Sequence, residues 1–274
     1  LSVINAALGD SELKGGKEEW AMRSFFGRLN LTWDDRYLFE ANLRADGSSR
    51  FASGKNRWGF FPSFSAGWRL SEEGFLKDVA AVNQLKLRAS WGSLGNNAVG
   101  NYEWQSVYNK DSYILNNTLA PGLSIQTISN AGLTWETTYV TNVGVDFELL
   151  GGYLNGSIEY FSRKTTDLLY SKDVPLSSGN PTGYYPVNVG SILNDGFEIN
   201  LDGHIIKSMN VDWTWNINLS HYRNKILSLD PSVSEEGIKG GNYIYKVGGS
   251  LYEAYMRKYA GVNPKTGKAQ WYQK

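Results

Sequence analysis

The chain of 274 residues offers few groups able to do covalent chemistry: two histidines, His204 and His221, and no cysteine. A thiol nucleophile, a disulfide framework and a cysteine zinc site are thereby excluded. A metal site would have to come from carboxylates, yet no His-x-x-x-His pair or Asp-rich loop occurs. Asp46-Gly47-Ser48-Ser49 begins like a calcium turn but lacks the later acidic ligands, and so reads as a loop. Gly261 to Gly267-Lys268-Ala269 fails as a phosphate loop, because the spacing is one residue too long and Ala replaces Ser/Thr. Asp146 and Glu148 share one strand face, a spacing open to acid–base work but equally that of charges lining a wet surface. No catalytic residue, metal or cofactor is therefore assigned.

The remaining candidates are aromatic. Tyr102, Trp104, Tyr108 and Tyr113 fall in one long polar stretch, and Tyr184 and Tyr185 in the next. Flat rings stack on sugar faces, and clustered exposed aromatics mark binding surfaces. The bland alternative is that they pack loops together or against a partner.

Those loops must hang from strands. Alternation runs through Phe25–Trp33, Tyr37–Ala45, Trp58–Leu70, Leu85–Trp91, Tyr139–Leu149, Leu154–Tyr160, Phe197–Leu201 and Trp213–Leu219. Along them Arg28, Glu40, Arg44, Lys86, Arg88, Asp146 and Glu148 oppose an apolar set. The connections alternate: tight turns at Asp34-Asp35, Gly151-Gly152 and Lys207–Asn210, long stretches at Gly95–Thr134 and Lys164–Asp195. Ser71–Asp78 is the one short helical candidate, with Ser71 as N-cap. Tyr243–Val247 and Leu251–Val262 read as further strands, with a turn at Asn263–Gly267.

Net charge is zero, from 27 basic and 27 acidic residues, which leaves no footprint for nucleic acid. No apolar run is long enough for a membrane helix. A barrel strand needs apolar residues only at every second position, so a mean hydropathy of −0.38 is no obstacle. Twelve residues tilted at about 40–45° span roughly 28–30 Å, near the thickness of a membrane's hydrocarbon band. Trp33, Tyr37, Trp58, Trp135 and Tyr153 would then sit in interfacial girdles. The fold class expected is all-β: an antiparallel meander forming part of a transmembrane β-barrel wall, with short turns at one end and long outer loops at the other. A soluble or surface β-rich carbohydrate-binding or adhesive domain predicts the same alternation, and a detergent requirement separates the two.

One set of segments runs Arg44-Ala45-Asp46-Gly47-Ser48-Ser49-Arg50-Phe51, Phe61-Pro62-Ser63, Gly67-Trp68-Arg69, Leu85–Gly92 and Leu133-Thr134-Trp135-Glu136. Asp167-Leu168-Leu169, Asn188-Val189-Gly190, Asn194-Asp195-Gly196-Phe197-Glu198 and Tyr259–Gly267 follow. In this order they resemble the barrel of TonB-dependent outer-membrane transporters of the SusC/RagA type. The resemblance implies a 22-stranded barrel and a plug domain in the full-length family. It also implies contact with the TonB complex, a SusD-like surface lipoprotein as partner, and uptake of glycans or peptides across a Gram-negative outer membrane. Residues 1–274 are expected to form a single region, an internal barrel fragment in contact with outer-membrane lipid, with the plug and the closing C-terminal strand lying outside it.

Overall fold

The computed structural model describes residues 17–231 and 236–272; the expectations for residues 1–16 and for Gln273-Lys274 lie outside the described residues. The strands in chain order begin with β1 (Met22–Trp33), β2 (Tyr37–Ser48), β3 (Trp58–Arg69) and β4 (Val82–Asn96). Next come β5 (Val107–Leu115), β6 (Thr118–Thr127), β7 (Glu136–Leu149) and β8 (Leu154–Thr166). β9 (Leu169–Asp173), β10 (Tyr184–Asn188), β11 (Ser191–Lys207) and β12 (Asp212–Ser228) follow. Five short pieces complete the series: β13 (Ile238–Gly240), β14 (Tyr243–Tyr245), β15 (Glu253–Ala254), β16 (Tyr259–Val262) and β17 (Ala269–Trp271).

Eight of these form one antiparallel sheet in the order β1-β2-β3-β4-β7-β8-β11-β12. The order is a meander; β5–β6 and β9–β10 are hairpins carried by the long connections. At the tight-turn end, Asp34 and Asp35 adopt φ of 52° and 49°, and Leu150, Gly151 and Gly152 φ of 58°, 68° and 82°. Left-handed backbone is cheapest for Gly and tolerated by Asp, which is why these residues reverse the chain within so few positions.

Period two sorts the side chains. Register places Arg28, Asn42, Ser63, Gly92, Val140, Arg163, Asn194 and Asn224 on one face. Leu29, Ala41, Phe64, Trp91, Thr141, Ser162, Asp195 and Arg223 form a hydrogen-bonded row on the other. That row lies four positions from the turn end of β1 at Trp33, eight from Leu149 in β7 and eleven from Asp212 in β12. It climbs about one residue per strand. With about 3.3 Å along a strand and about 4.8 Å between strands, the strands tilt by roughly 35°, as closure of a barrel requires.

The apolar face ends in two aromatic belts. Near the tight turns Tyr37 packs on Trp33 and Trp68, with ring centroids 5.6 and 6.2 Å apart; Tyr153, expected in this girdle, instead meets His204, which register places with Thr214 on the polar face. Eight to ten positions further along the strands lie Phe25–Trp58, Trp91–Tyr139 and Phe197–His221. About nine tilted residues separate the belts by roughly 24 Å, the height of a lipid-facing barrel band. Within the band Leu29, Leu43, Phe64, Val143, Ile158 and Leu219 stay exposed, so among the described residues nothing covers this face. A sandwich would have buried them.

Three further expectations are corrected. Trp135 belongs to no girdle; it is buried against Phe51 and Phe61. Ser71–Asp78 forms no helix beyond a single 3-10 turn at Leu70–Glu72, because one short run with Gly74 in it cannot meet the cost of nucleation. Past residue 236 the expected long strands break into β14, β15 and β16; the Asn263–Gly267 turn joins β16 to β17, with Asn263 Oδ1 accepting the Lys265 N–H at 2.9 Å.

Candidate functional site in the long loops

The connections opposite the tight turns are joined into one cap over the end of the sheet. Its core is Phe51, Phe61, Leu133 and Trp135, with Phe51 and Leu133 fully buried. Burying rings and Leu of this size stabilises by about 1.5–3 kcal/mol each. Phe61 fits because Gly59 and Gly95 flank it: a Cβ at either position would overlap its ring. Trp135 Nε1 donates to the Arg57 carbonyl at 3.0 Å, which satisfies the indole while its ring stays apolar.

Side-chain amides do the rest of the joining. Asn188 pairs with Thr134 as a strand would, its Oδ1 accepting the Thr134 N–H and its Nδ2 donating to the Thr134 carbonyl, both at 2.8 Å. Asn130 Nδ2 donates to the Pro186 carbonyl at 2.8 Å, and Asn56 Nδ2 to that of Ala131 at 3.1 Å. Arg50 reaches Asn101 Oδ1 and the Asn97 carbonyl at 3.1 and 3.2 Å. Glu136 accepts from Asn96 Nδ2 and the Leu169 N–H at 3.1 and 3.0 Å. Each of these bonds links two different connections or strand ends, so the cap is cross-linked throughout.

Out of this cap projects the β5–β6 hairpin. Ser106 and Ser129 hydroxyls bond at 3.0 Å across its root, and Asn116 and Asn117, at φ 50° and 59°, form its two-residue tip. One face carries Tyr108, Ile114, Leu119, Leu123 and Ile125; the other carries Val107, Tyr113 and Leu115. Ile114, Leu119 and Leu123 are 75%, 70% and 71% exposed, far beyond what an arm without a partner needs.

The six aromatics expected to form the site play different parts. Tyr102 is an anchor: its hydroxyl donates to the Glu19 carbonyl at 2.9 Å and accepts the Glu19 N–H at 3.0 Å. Trp104 is another, its Nε1 donating to the Ser49 carbonyl at 3.1 Å. Tyr108 and Tyr113 are exposed but lie on opposite faces of the arm, so they form no common platform. Tyr184 is exposed on β10; its carbonyl accepts from the fully buried Asn180 at 2.6 Å, while Tyr185, opposite Lys172, is half-buried. The sequence reading missed Ile114, Leu119, Leu123 and Ile125. The signal was present as alternation either side of Asn116-Asn117, interrupted by Pro121-Gly122.

Beneath the cap the polar face forms an open recess of about 670 Å³, lined by Arg44, Asp46, Phe61, Ser63, Asn97 and Trp135. Within and below it the polar face is cross-linked. Arg28 pairs with Glu40 at 2.7 Å, Arg44 with Asp46 at 2.7 Å, and Arg88 with both Asp146 and Glu159 at 3.1 and 2.6 Å.

Residues 6–273 match the family described as TonB dependent receptor-like, beta-barrel. The chain is 35% identical over 243 residues to TonB-dependent receptor P39 of Formosa agariphila, covering 88% of this chain and 22% of that protein. It is 35% identical over 247 residues to TonB-dependent receptor SusC of Bacteroides thetaiotaomicron, covering 86% and 24%. Among solved structures, the RagAB peptide importer in its open-open state superposes with a TM-score of 0.82 at 30% identity, over 97% of this chain and 28% of that one. The chain thus spans about a quarter of the length of the relatives it matches.

Proposed function

Since this chain belongs to the TonB-dependent receptor β-barrel family, of the SusC/RagA kind and of the Gram-negative outer membrane, we propose that it supplies eight adjacent wall strands and part of the outer cap of an active nutrient importer. The observation that carries this is the two-sided sheet: a lipid-height apolar band on one face, a cross-linked polar face on the other, and a cross-linked loop cap at the end opposite the tight turns. The plug and the TonB-contacting segment would be carried by other parts of the whole protein. The cargo is an oligosaccharide or a peptide. Exposed Tyr108, Tyr113 and Tyr184 suit sugar stacking, whereas the RagAB relative is a peptide importer. The recess under the cap, with Phe61 and Trp135 beside Arg44 and Asp46, would receive cargo on its way in. The apolar face of the arm would dock a SusD-like surface lipoprotein, whose closure over the cap would shield Ile114, Leu119 and Leu123. No step of this scheme asks for bond chemistry.

The test uses the full-length parent in cells that carry its lipoprotein partner, with labelled oligosaccharides and labelled oligopeptides. Uptake of one class is expected and should vanish without TonB. Replacing residues 108–126 by a short Gly-Asn turn joins ends already paired at Val107 and Thr127, so the barrel should insert at the parental level. Lipoprotein co-purification and uptake should both fall at least about tenfold, the loss expected when an apolar hot spot is removed. TonB-independent uptake, or none of either class, sinks the importer reading; unchanged lipoprotein retention sinks the docking assignment.

A further inference from the structure

The outward, lipid-facing side of the wall carries no charge between the two aromatic belts, and then an abrupt set just beyond the outer one. Lys164, Asp195, Arg223 and Lys225 all project from this face ten or more positions from the tight turns. Leu193 pairs with Lys164 on one side and Lys225 on the other, so two exposed ammonium groups flank one leucine across about 10 Å of sheet. One row below, Arg223 Nε donates to both oxygens of Asp195 at 3.0 and 3.1 Å, and Tyr160 offers its hydroxyl to the same carboxylate at 3.5 Å. Asp195 is buried by this arrangement while the Arg223 side chain remains 75% exposed. The single acid is therefore spent fixing the guanidinium, whose remaining N–H groups point outward. The ledge keeps a surplus of two positive charges, with Ser162 and His221 beside it on the same face.

We propose that this ledge on β8, β11 and β12 binds the phosphate groups of a phosphorylated lipid in the outer leaflet. The height is that of headgroups, one strand turn beyond the Phe197–His221 and Trp91–Tyr139 rings that mark the edge of the apolar band. The face is continuous with the membrane-facing surface and turned away from the cap, the recess and the arm. The charge is complementary to phosphate, and an Arg fixed by Asp195 one row below two exposed Lys side chains suits a headgroup with more than one anionic group. The assignment depends on the membrane placement of the wall and is independent of what the pore carries.

Full-length parent purified in detergent, analysed by native mass spectrometry, provides the test. The probes are bis-phosphorylated lipid A, the same lipid with its phosphates removed, and inorganic phosphate. The parent should retain the bis-phosphorylated lipid. Lys164→Gln with Lys225→Gln leaves the Arg223–Asp195 pair intact and should weaken retention roughly 10- to 30-fold. Lys164→Arg with Lys225→Arg should restore it. Equal retention by the parent and the Gln variant overturns the proposal, as does equal retention of the dephosphorylated lipid. Displacement by an equal concentration of inorganic phosphate also overturns it, since that marks a site for a free anion. Should the Gln variant not insert, a salt titration of the parent decides: phosphate recognition weakens with screening, and salt-independent retention overturns it.

Discussion

Arg88 bridges three strands because one residue in its path has no side chain. Register sets Arg88, Gly144 and Glu159 in a row across β4, β7 and β8. The guanidinium lies over Gly144, where a Cβ would stand 3.0 Å from Cζ, to reach Glu159 at 2.6 Å. Gly144→Val should push the guanidinium aside and destabilise the parent barrel by about 1–2 kcal/mol, the discounted value of a half-exposed charge-assisted bond. A double-mutant cycle with Glu159→Gln, read by thermal unfolding in detergent, checks it. The two costs must overlap; full additivity means the glycine serves something else. At the other end of the wall, Glu73 accepts from Tyr37 Oη, Trp68 Nε1 and Arg36 Nη1 at 2.8, 2.9 and 3.0 Å. The Trp68 and Tyr37 donors, with Arg36 alongside, hold its carboxyl below the usual carboxylate range. A depressed folded value means that the stabilisation is complete above the unfolded value of about 4.3 and is lost as pH falls through the lower folded one. Melting of the parent should therefore be level from neutral pH to about 5 and decline below about 4. Glu73→Gln should lack that part of the decline, and identical acid profiles would remove Glu73 from the account.

At the scale of the strand, the two faces differ in what they tolerate. Val145 faces outward midway between the aromatic belts, whereas Asn200 lies exposed on the polar face beside Ser157. Val145→Arg in the parent should cost about 2–4 kcal/mol near the bilayer midplane, and Asn200→Arg much less, measured by folding into lipid vesicles. Comparable costs on both faces would contradict the membrane assignment. The wall strands were legible in sequence because lipid and water impose a strict period of two on twelve or more residues at a time. Their outer ends were not. β4 runs on to Asn96 and β11 begins at Ser191, inside stretches that read as loop, because beyond the lipid nothing forces alternation. The arm was hidden for a related reason: Pro121-Gly122 interrupts its pattern, and its two apolar faces mimic no single-sided strand. Trp135 shows the opposite failure, since a Trp at a strand end reads as a girdle residue until Gly59, Gly95 and Phe61 show which way it turns.

For the molecule as a whole, wall and cap follow different rules of cohesion. The wall is held by ladder hydrogen bonds and by the surrounding lipid, while the cap has its own small apolar core and amide cross-links. That division explains why the candidate site was only partly legible. Tyr102 and Trp104, expected as ligand groups, also tie the cap together through their polar atoms, because an aromatic with one polar atom suits either task. Arg28, Arg44 and Arg88 are each met by carboxylates within 3.1 Å, and between them lie Asn and Ser ladders such as Asn42–Ser63 and Asn200–Ser157. Field lines that close between neighbours do not reach the middle of a channel, and only walls of one sign concentrate counter-ions. In the importer proposed above, the field of these three arginines would close locally, so a solute would meet amide and hydroxyl ladders rather than an arginine free to hold an anion. Glu148, Glu198 and Asp202 share this face outside those pairs, so the wall as a whole would favour neutral or cationic solutes over a polyanion.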